Sequence, residues 1–395
     1  ASLLPPSFYS MSAAVGLLLP AVAAAIAVAL VAVTLHVYAR TPRLSSIAPV
    51  DPGIGPRVSI IVAARDEGRH IRTAVASLLR QDYHDVELIV VEDRSRDQTP
   101  AMLDAMAAKT PRLIVEHVTT LPAGWLGKNH ALHRGATRAS GEILLFVDGD
   151  VHLERSSVSR AMRVFDEPGA DHVTVSPHME LPAGPIQMVV GYFLTWGMVA
   201  SRLWRVEDPH SNAYIGVGAF NMVRTNVYKE VGGHTRIAMR PDDDLMLGKI
   251  LKQSGAQTRV LFGMEMVGVE WYRDVPEATQ GFRKNAYAAL NYSFPLFLAA
   301  VLGTLVVSVW PFVAVWQTTG VAQALFAVAI VGQLAAYAKT MAEQRLPQRW
   351  TLLYPVAALV QTAMLVIAVT RTLVAGGIEW RGTFYPLDQL RANRV

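Results

Sequence analysis

The chain has 395 residues, 52% of them hydrophobic and 17% charged, a more apolar balance than soluble globular proteins carry. Its formal net charge is +4, and the basic residues are scattered singly. That pattern fits attraction to a membrane surface and contact with phosphates, and it sets nucleic-acid binding aside. There is no cysteine, which excludes disulfide staples and thiolate metal sites and fits a reducing compartment.

The apolar excess collects in four runs, Val15–Val33, Leu296–Trp316, Val321–Ala338 and Leu352–Ala375, each near the length that crosses a hydrocarbon core as a helix. The first run is longer than the apolar stretch of a signal peptide and no basic residue precedes it, so it is expected to remain as an anchor. Arg40 and Arg43 follow it, and positive charge beside a span marks the cytoplasmic side. The expected organisation is an anchor over 1–40, a linker over 41–56, a cytosolic domain over 57–292, membrane helices over 293–376 and a tail over 377–395. Within the domain, Ile186–Trp204 is apolar with aromatics and flanked by Arg202 and Arg205, a composition suited to a helix lying in the membrane interface.

The domain opens on Val58–Ala64, a β-branched run that predicts a buried strand, and continues with a helix over Glu67–Arg80. Glu87–Val91 predicts a second strand, Thr99–Lys109 a second helix and Ile143–Phe146 a third strand. This alternation implies an α/β fold built on a mainly parallel sheet, in which ligands sit beyond the carboxyl ends of the strands. Polar clusters fall at those ends: Arg65–Glu67, Glu92–Asp97 and Asp148–Asp150.

The sharpest cluster is Asp148-Gly149-Asp150 after the apolar run Leu144–Val147. Hard divalent cations take oxygen ligands and are commonly held by one or two carboxylates plus substrate phosphates, so Mg²⁺ or Mn²⁺ is expected there; a solvated turn is the alternative. Glu92 and Asp93 lie at the mouth of the second strand, where a carboxylate can accept from the imide N–H of a uracil, while Ser95 or Asp97 can cap the next helix. Gly127-Lys128-Asn129 precedes a helical stretch over His130–Ala139, where phosphate can meet an ammonium and helix N–H groups together. Asp242-Asp243-Asp244 opens a helical segment over Leu245–Gly255. Three adjacent carboxylates repel, which raises a pKa toward the range of a general base. Gln280, Arg283 and Lys284 precede the second apolar run, at the membrane surface. The histidines show no ligand spacing, which disfavours zinc.

These five clusters, in this order over about 58–284, resemble the inverting family-2 glycosyltransferases of the GT-A fold. The resemblance implies that Asp93 binds uracil, that Asp148 and Asp150 form the D-x-D pair with Asp150 as metal ligand, and that Asp244 is the base beside Asp243. It implies donor contacts for Arg65, Glu67 and Lys128, and diphosphate or acceptor contacts for Gln280 and Arg283; Lys284 stands where the motif has tryptophan. Pro122–Lys128, with Trp125 at its centre, and the tail Glu379–Tyr385 resemble the subgroup of ceramide glucosyltransferases and bacterial carotenoid- or hopanoid-associated enzymes. The subgroup implies transfer of a hexose, glucose foremost, from a UDP-sugar to a membrane lipid at the cytoplasmic face of a bacterial inner membrane, with no protein partner.

Two alternatives remain, a processive polysaccharide synthase and a non-catalytic membrane scaffold. The apolar runs are mostly Ala, Val and Leu with isolated Gln317, Gln333 and Gln361, and so lack the polar lining of an export conduit. Four full crossings would put the tail opposite the domain, whereas a role for Trp380–Tyr385 at the site requires one run to be re-entrant or interfacial.

Overall fold

The structure is a computed structural model that describes residues 6–51, 53, 55–167 and 169–395. The first five residues of the expected anchor, Pro52 and Ile54 of the expected linker, and Pro168 of the expected domain lie outside the described residues. In chain order the elements are α1 (Pro6–Arg40), β1 (Val58–Ala64), α2 (Ile71–Leu79), β2 (Val86–Asp93), α3 (Thr99–Ala107), β3 (Leu113–Val118), α4 (Gly127–Arg138), β4 (Ile143–Asp148), β5 (Val151–Leu153) and α5 (Ser157–Phe165). There follow β6 (His172–Ser176), β7 (His178–Glu180), α6 (Ile186–Ala200), β8 (Asn221–Arg224), α7 (Thr225–Glu230), α8 (Asp243–Gln253), β9 (Thr258–Phe262), β10 (Val267–Glu270) and α9 (Val275–Ala289). The chain continues through α10 (Phe294–Thr304), α11 (Trp310–Ala314), α12 (Gly320–Glu343), α13 (Tyr354–Ala375), β11 (Gly377–Trp380), β12 (Thr383–Pro386) and α14 (Leu387–Ala392).

The chain divides into two compact units. The sheet unit comprises 41–181, 201–272 and 371–395; the helical unit comprises 1–40, 182–200 and 273–370. This partition differs from the expected one in three places. The segment around α6 and the helix α9 group with the apolar helices, and the tail groups with the sheet. The expected linker is also fastened to the sheet unit: Pro42 O accepts from Phe262 N at 2.9 Å, and Val50 N donates to Ser159 O at 3.1 Å.

The sheet unit is built on seven strands in the order β3-β2-β1-β4-β8-β6-β9. Strands β3, β2, β1 and β4 run parallel, whereas β8 is antiparallel to both β4 and β6. Side chains alternate between two cores: Ile60, Val62, Leu145 and Val147 pack on one face, and Ile61, Leu144 and Phe146 on the other. Burial on both faces explains why these strands read as continuous apolar runs. Each fully buried Ile, Leu or Phe contributes roughly 1.5–3 kcal/mol. Strand register brings the functional ends level, with Ala63 beside Asp148 and Ala64 beside Glu92. Chain order reverses between β1 and β4, and the crevice outside such a switch point is where open α/β sheets bind ligands.

Helix starts differ from the predicted ones, each for a local reason. Residues 67–70 are not helical. Glu67 N donates to Thr99 Oγ1 at 2.9 Å and Gly68 N to Asp97 Oδ2 at 2.9 Å, so α2 starts only at Ile71. Helix α4 starts at Gly127 and α8 at Asp243, which places Lys128 and both Asp243 and Asp244 in first turns.

Among the described residues, four segments are long and apolar enough to cross a membrane: Gly16–Arg40, Phe294–Ala314, Gly320–Glu343 and Gln348–Ala375. Helices α1 and α12 pack through small residues, and a Cβ at Gly332 would lie 3.0 Å from the Ala27 Cβ. Helix α6 ends at Ala200, short of the predicted Trp204. Within the helical unit its Trp196 Nε1 donates to Tyr354 Oη at 3.1 Å, and Phe193 meets Phe282 edge to face at 5.2 Å.

Candidate active site

Four charged side chains converge beyond the carboxyl end of β4. The Lys128 ammonium lies 2.8 Å from Asp148 Oδ1 and 3.1 Å from Asp243 Oδ1, bridging the end of β4 to the start of α8. Asp244 sits next to them with both carboxylate oxygens fixed by backbone: Oδ2 accepts from Gly218 N at 2.8 Å and Oδ1 from Leu245 N at 2.8 Å. Gly218 is a close approach, since a Cβ there would lie 2.5 Å from Asp148 Oδ2. A small pocket opens here, lined by Lys128, Asp148, Asn221, His234, Asp243 and Asp244 among others.

Burial disfavours charge on Lys128, Asp243 and Asp244. It works against the Lys128 ammonium, but Asp148, Asp243 and Asp244 outweigh it and hold the amine well above the ordinary lysine range. Burial pushes Asp243 up to about 7, with Lys128 opposing and Asp244 and Asp148 adding to the rise. Asp244 is raised for the same first reason; Lys128 and its two backbone donors limit the rise. The result is two adjacent carboxyls, Asp243 and Asp244, both held above the ordinary carboxylate range.

A second cluster flanks the first. Burial raises Asp150 to about 7, and Asp148 and Glu67 push it further in that direction. Such crowding of hard oxygen donors is relieved by a divalent cation. Among the described residues no three His, Asp or Glu side chains converge as a metal cage. The donor set therefore suits an ion completed by substrate phosphate oxygens. Glu67 in turn pairs with Arg381, which arrives from the turn between β11 and β12. The same hairpin brings the Tyr385 hydroxyl to accept from Gly127 N at 3.2 Å, next to the Arg94 guanidinium.

Residues 59–231 match the family described as Glycosyl transferase family 2. The matched stretch runs from β1 through α7 and so includes the strand ends that carry Asp93 and Asp148. The chain is similar to a 4,4'-diaponeurosporenoate glycosyltransferase of Staphylococcus aureus, with 21% identity over 344 residues, covering 84% of this chain and 89% of the relative. It is also similar in structure to a mannosyltransferase of Pyrobaculum calidifontis solved with GDP-Man and Mn²⁺. That likeness has a TM-score of 0.51 and 21% identity, and covers 90% of this chain and 99% of the other. It supports the GT-A fold, an α/β domain on a mostly parallel sheet.

The sheet unit brings Arg65, Glu67, Asp93, Lys128, Asp148, Asp150, Asp243 and Asp244 to one end of the sheet. Asp93 is buried and engaged: its oxygens accept from Arg94 Nε at 2.7 Å and Nη2 at 3.0 Å, with Arg65 Nη1 at 3.5 Å. Glu92 is structural, accepting from Ser95 N at 2.5 Å and facing His117 Nδ1 at 3.1 Å. Trp125 stacks on His133 with ring centroids 5.0 Å apart. Gln280, Arg283 and Lys284 lie on α9, in the helical unit rather than in the sheet unit. Sequence reasoning missed Gly218, Asn221 and His234, which carry no spacing signal, and it left the place of Arg381 and Tyr385 open.

Asp242 directly precedes α8, but its side chain does not cap the helix. Arg240 Nε and Nη2 hold it bidentately at 2.8 and 2.7 Å, and both residues are about 4% exposed. Removing one member strands a buried charge, so Asp242→Ala should destabilise the domain by about 3–5 kcal/mol. Thermal unfolding in detergent checks this, and an unchanged midpoint would contradict it.

Proposed function

We propose that the chain transfers a hexose from a nucleotide-sugar to a hydroxyl of a membrane lipid, by direct displacement with inversion. The convergence of Lys128, Asp148, Asp243 and Asp244 carries this reading. A buried cation that suits a leaving diphosphate, next to a carboxylate whose basicity is raised, supports it. Asp244 takes the proton from the acceptor hydroxyl as the anomeric carbon leaves the diphosphate, and Asp243 contacts the sugar or the lipid head. Asp148 and Asp150 hold Mg²⁺ or Mn²⁺, which when bound neutralises charge on the diphosphate. Arg65, Glu67 and Asp93 shape the nucleoside end, where Asp93 reads the imide of uracil in a UDP-sugar and Trp125 borders the approach.

The four apolar segments and the similarity to a glycosyltransferase named for an isoprenoid acid support a lipid acceptor. Arg40 and Arg43, beside the first segment, support a cytoplasmic catalytic face. That relative's name also favours a second acceptor class, a polyene lipid bearing a carboxylate. Such an acceptor is already ionised at neutral pH and needs no base, so the raised basicity of Asp244 favours the hydroxyl.

Purified protein given UDP- or GDP-hexoses, Mn²⁺ and a membrane lipid extract should release nucleoside diphosphate and yield one glycolipid on thin-layer chromatography. Release without any lipid product would exclude a lipid acceptor, and no release from any donor would favour a scaffold. In the same assay Arg381→Ala should raise the donor KM by about tenfold with kcat less affected, the loss expected of one charge-assisted contact. An unchanged KM would assign Arg381 to folding alone.

A further inference from the structure

The sheet unit is assembled from three chain segments, 41–181, 201–272 and 371–395. The last of these is firmly part of it. Arg381 pairs with Glu67, and the Tyr385 hydroxyl accepts from Gly127 N. Asn393 Oδ1 accepts from Met239 N at 2.8 Å, and Leu390 is fully buried. Every excursion of the chain out of this unit must therefore return to the same side of a membrane. The excursion over 273–370 contains three segments of crossing length, an odd number, so they cannot all cross.

Contacts within the helical unit identify the one that does not. Helix α1 ends at Arg40, next to Thr41 of the sheet unit, so its C-terminal end faces the catalytic side. Moving along α1 toward that end, its partners climb α12. Ala23 and Ala27 share a cluster with Phe326 and Ala329, Gly332 lies against Ala27, and Lys339 Nζ lies 5.9 Å from the Tyr38 ring centroid. The two helices are thus parallel, and α12 ends on the catalytic side. Ala314 packs in the cluster of Ala23 and Ala27, so the segment Phe294–Ala314 runs from the catalytic side to the far side. Helix α13 then begins near the catalytic end of α12, with Tyr354 and Tyr337 ring centroids 5.5 Å apart. It ends at Ala375, where Gly376 O accepts from Leu387 N at 2.8 Å inside the sheet unit. Both ends of α13 lie on one side.

We propose that three apolar segments cross the bilayer and that α13 lies in the plane of the leaflet on the catalytic side, returning the chain so that the tail hairpin reaches the donor site. An unbroken helix of 22 residues is about 33 Å long, enough to cross a hydrocarbon core of about 30 Å. A continuous helix of that length with both ends on one side has no course but along the surface. Leu359, Ile367 and Val374 are exposed and apolar, and the lipid covers them. The composition of α13 is that of a crossing helix, and connectivity overrides it.

This inference rests on the membrane reading above but not on catalysis, so its test is independent of turnover. The cysteine-free chain suits it. Single variants Ala108→Cys, Thr319→Cys, Arg349→Cys and Ala392→Cys of the full chain are labelled with an impermeant maleimide in right-side-out and inside-out vesicles. Ala108→Cys, Arg349→Cys and Ala392→Cys should label from one side and Thr319→Cys from the other. Labelling of Ala392→Cys from the side of Thr319→Cys would establish four crossings and overturn the proposal, as would labelling of all four from one side. A bimane on Ile367→Cys should be quenched more by lipid carrying a nitroxide near the headgroup than by lipid carrying one near the chain end. The reverse order would restore α13 as a crossing helix.

Discussion

Asp244→Asn should lower turnover by about 10²–10⁴, the usual contribution of general base catalysis, with little change in donor affinity. The substitution keeps size and removes basicity, but the surroundings add a consequence of their own. Both Asp244 oxygens accept from backbone N–H groups, Gly218 N and Leu245 N, and an amide has only one acceptor to offer. One N–H loses its partner, at a cost of about 1–3 kcal/mol in stability, so unfolding must be followed alongside turnover. Calorimetric binding of the nucleoside diphosphate separates a folded, donor-competent variant from a collapsed one. Near-normal turnover would transfer the role to Asp243. The anomeric coupling of the wild-type product is the companion measurement, because inversion converts an α-linked donor into a β-glycoside. The pH profile gives a further check. The base works deprotonated and its pKa is raised, so kcat should fall on acidification through a pH above the ordinary carboxylate range. Lys128 lowers that pKa, so Lys128→Met should move the acid limb to still higher pH.

Asp150→Ala should abolish metal-dependent turnover, a loss of at least about 10²–10³, the scale on which single electrostatic contacts to a developing anion count. Asp150 is buried and repelled by Asp148 and Glu67; Lys128 offsets Asp148, Arg381 offsets Glu67, and no cation pairs directly with Asp150 among the described ion pairs. The variant should therefore fold at least as stably as the parent, since it removes repulsion rather than a contact. A manganese titration of activity, with unfolding temperature as control, distinguishes lost catalysis from lost structure. Undiminished activity in the variant or in excess chelator would remove the metal from the reaction.

Much of the sheet was legible because its central strands are buried on both faces. β1 has the predicted bounds Val58–Ala64, and the apolar runs of β2 and β4 announce themselves the same way. β3 was not legible, since Leu113–Val118 holds Glu116 and His117 at the sheet edge. Nor was β8, whose four residues Asn221–Arg224 begin and end in polar side chains and pair antiparallel inside an otherwise parallel region. The acids of the site could be read because each ends a strand or opens a helix. Their coupling through Lys128 could not, because one ammonium contacting Asp148 and Asp243 joins residues far apart in the chain. Asp242 misled for a related reason: three adjacent acids look alike in sequence, and only the buried Arg240 singles one out as structural.

The pairing of Arg381 with Glu67 spans 314 residues, and the last three of the apolar segments, Phe294–Ala314, Gly320–Glu343 and Gln348–Ala375, lie between the two partners. Domains form as they leave the ribosome, so the loop bearing Glu67 and the strand ending at Asp148 are made long before the hairpin that supplies Arg381. The edge of the candidate site that Arg381 closes is completed only after the last apolar helix has emerged. On the proposed function, maturation of the donor site is in this way tied to membrane insertion, and a nascent chain stalled before α13 would carry every acidic residue of the candidate site but not the arginine that pairs with Glu67.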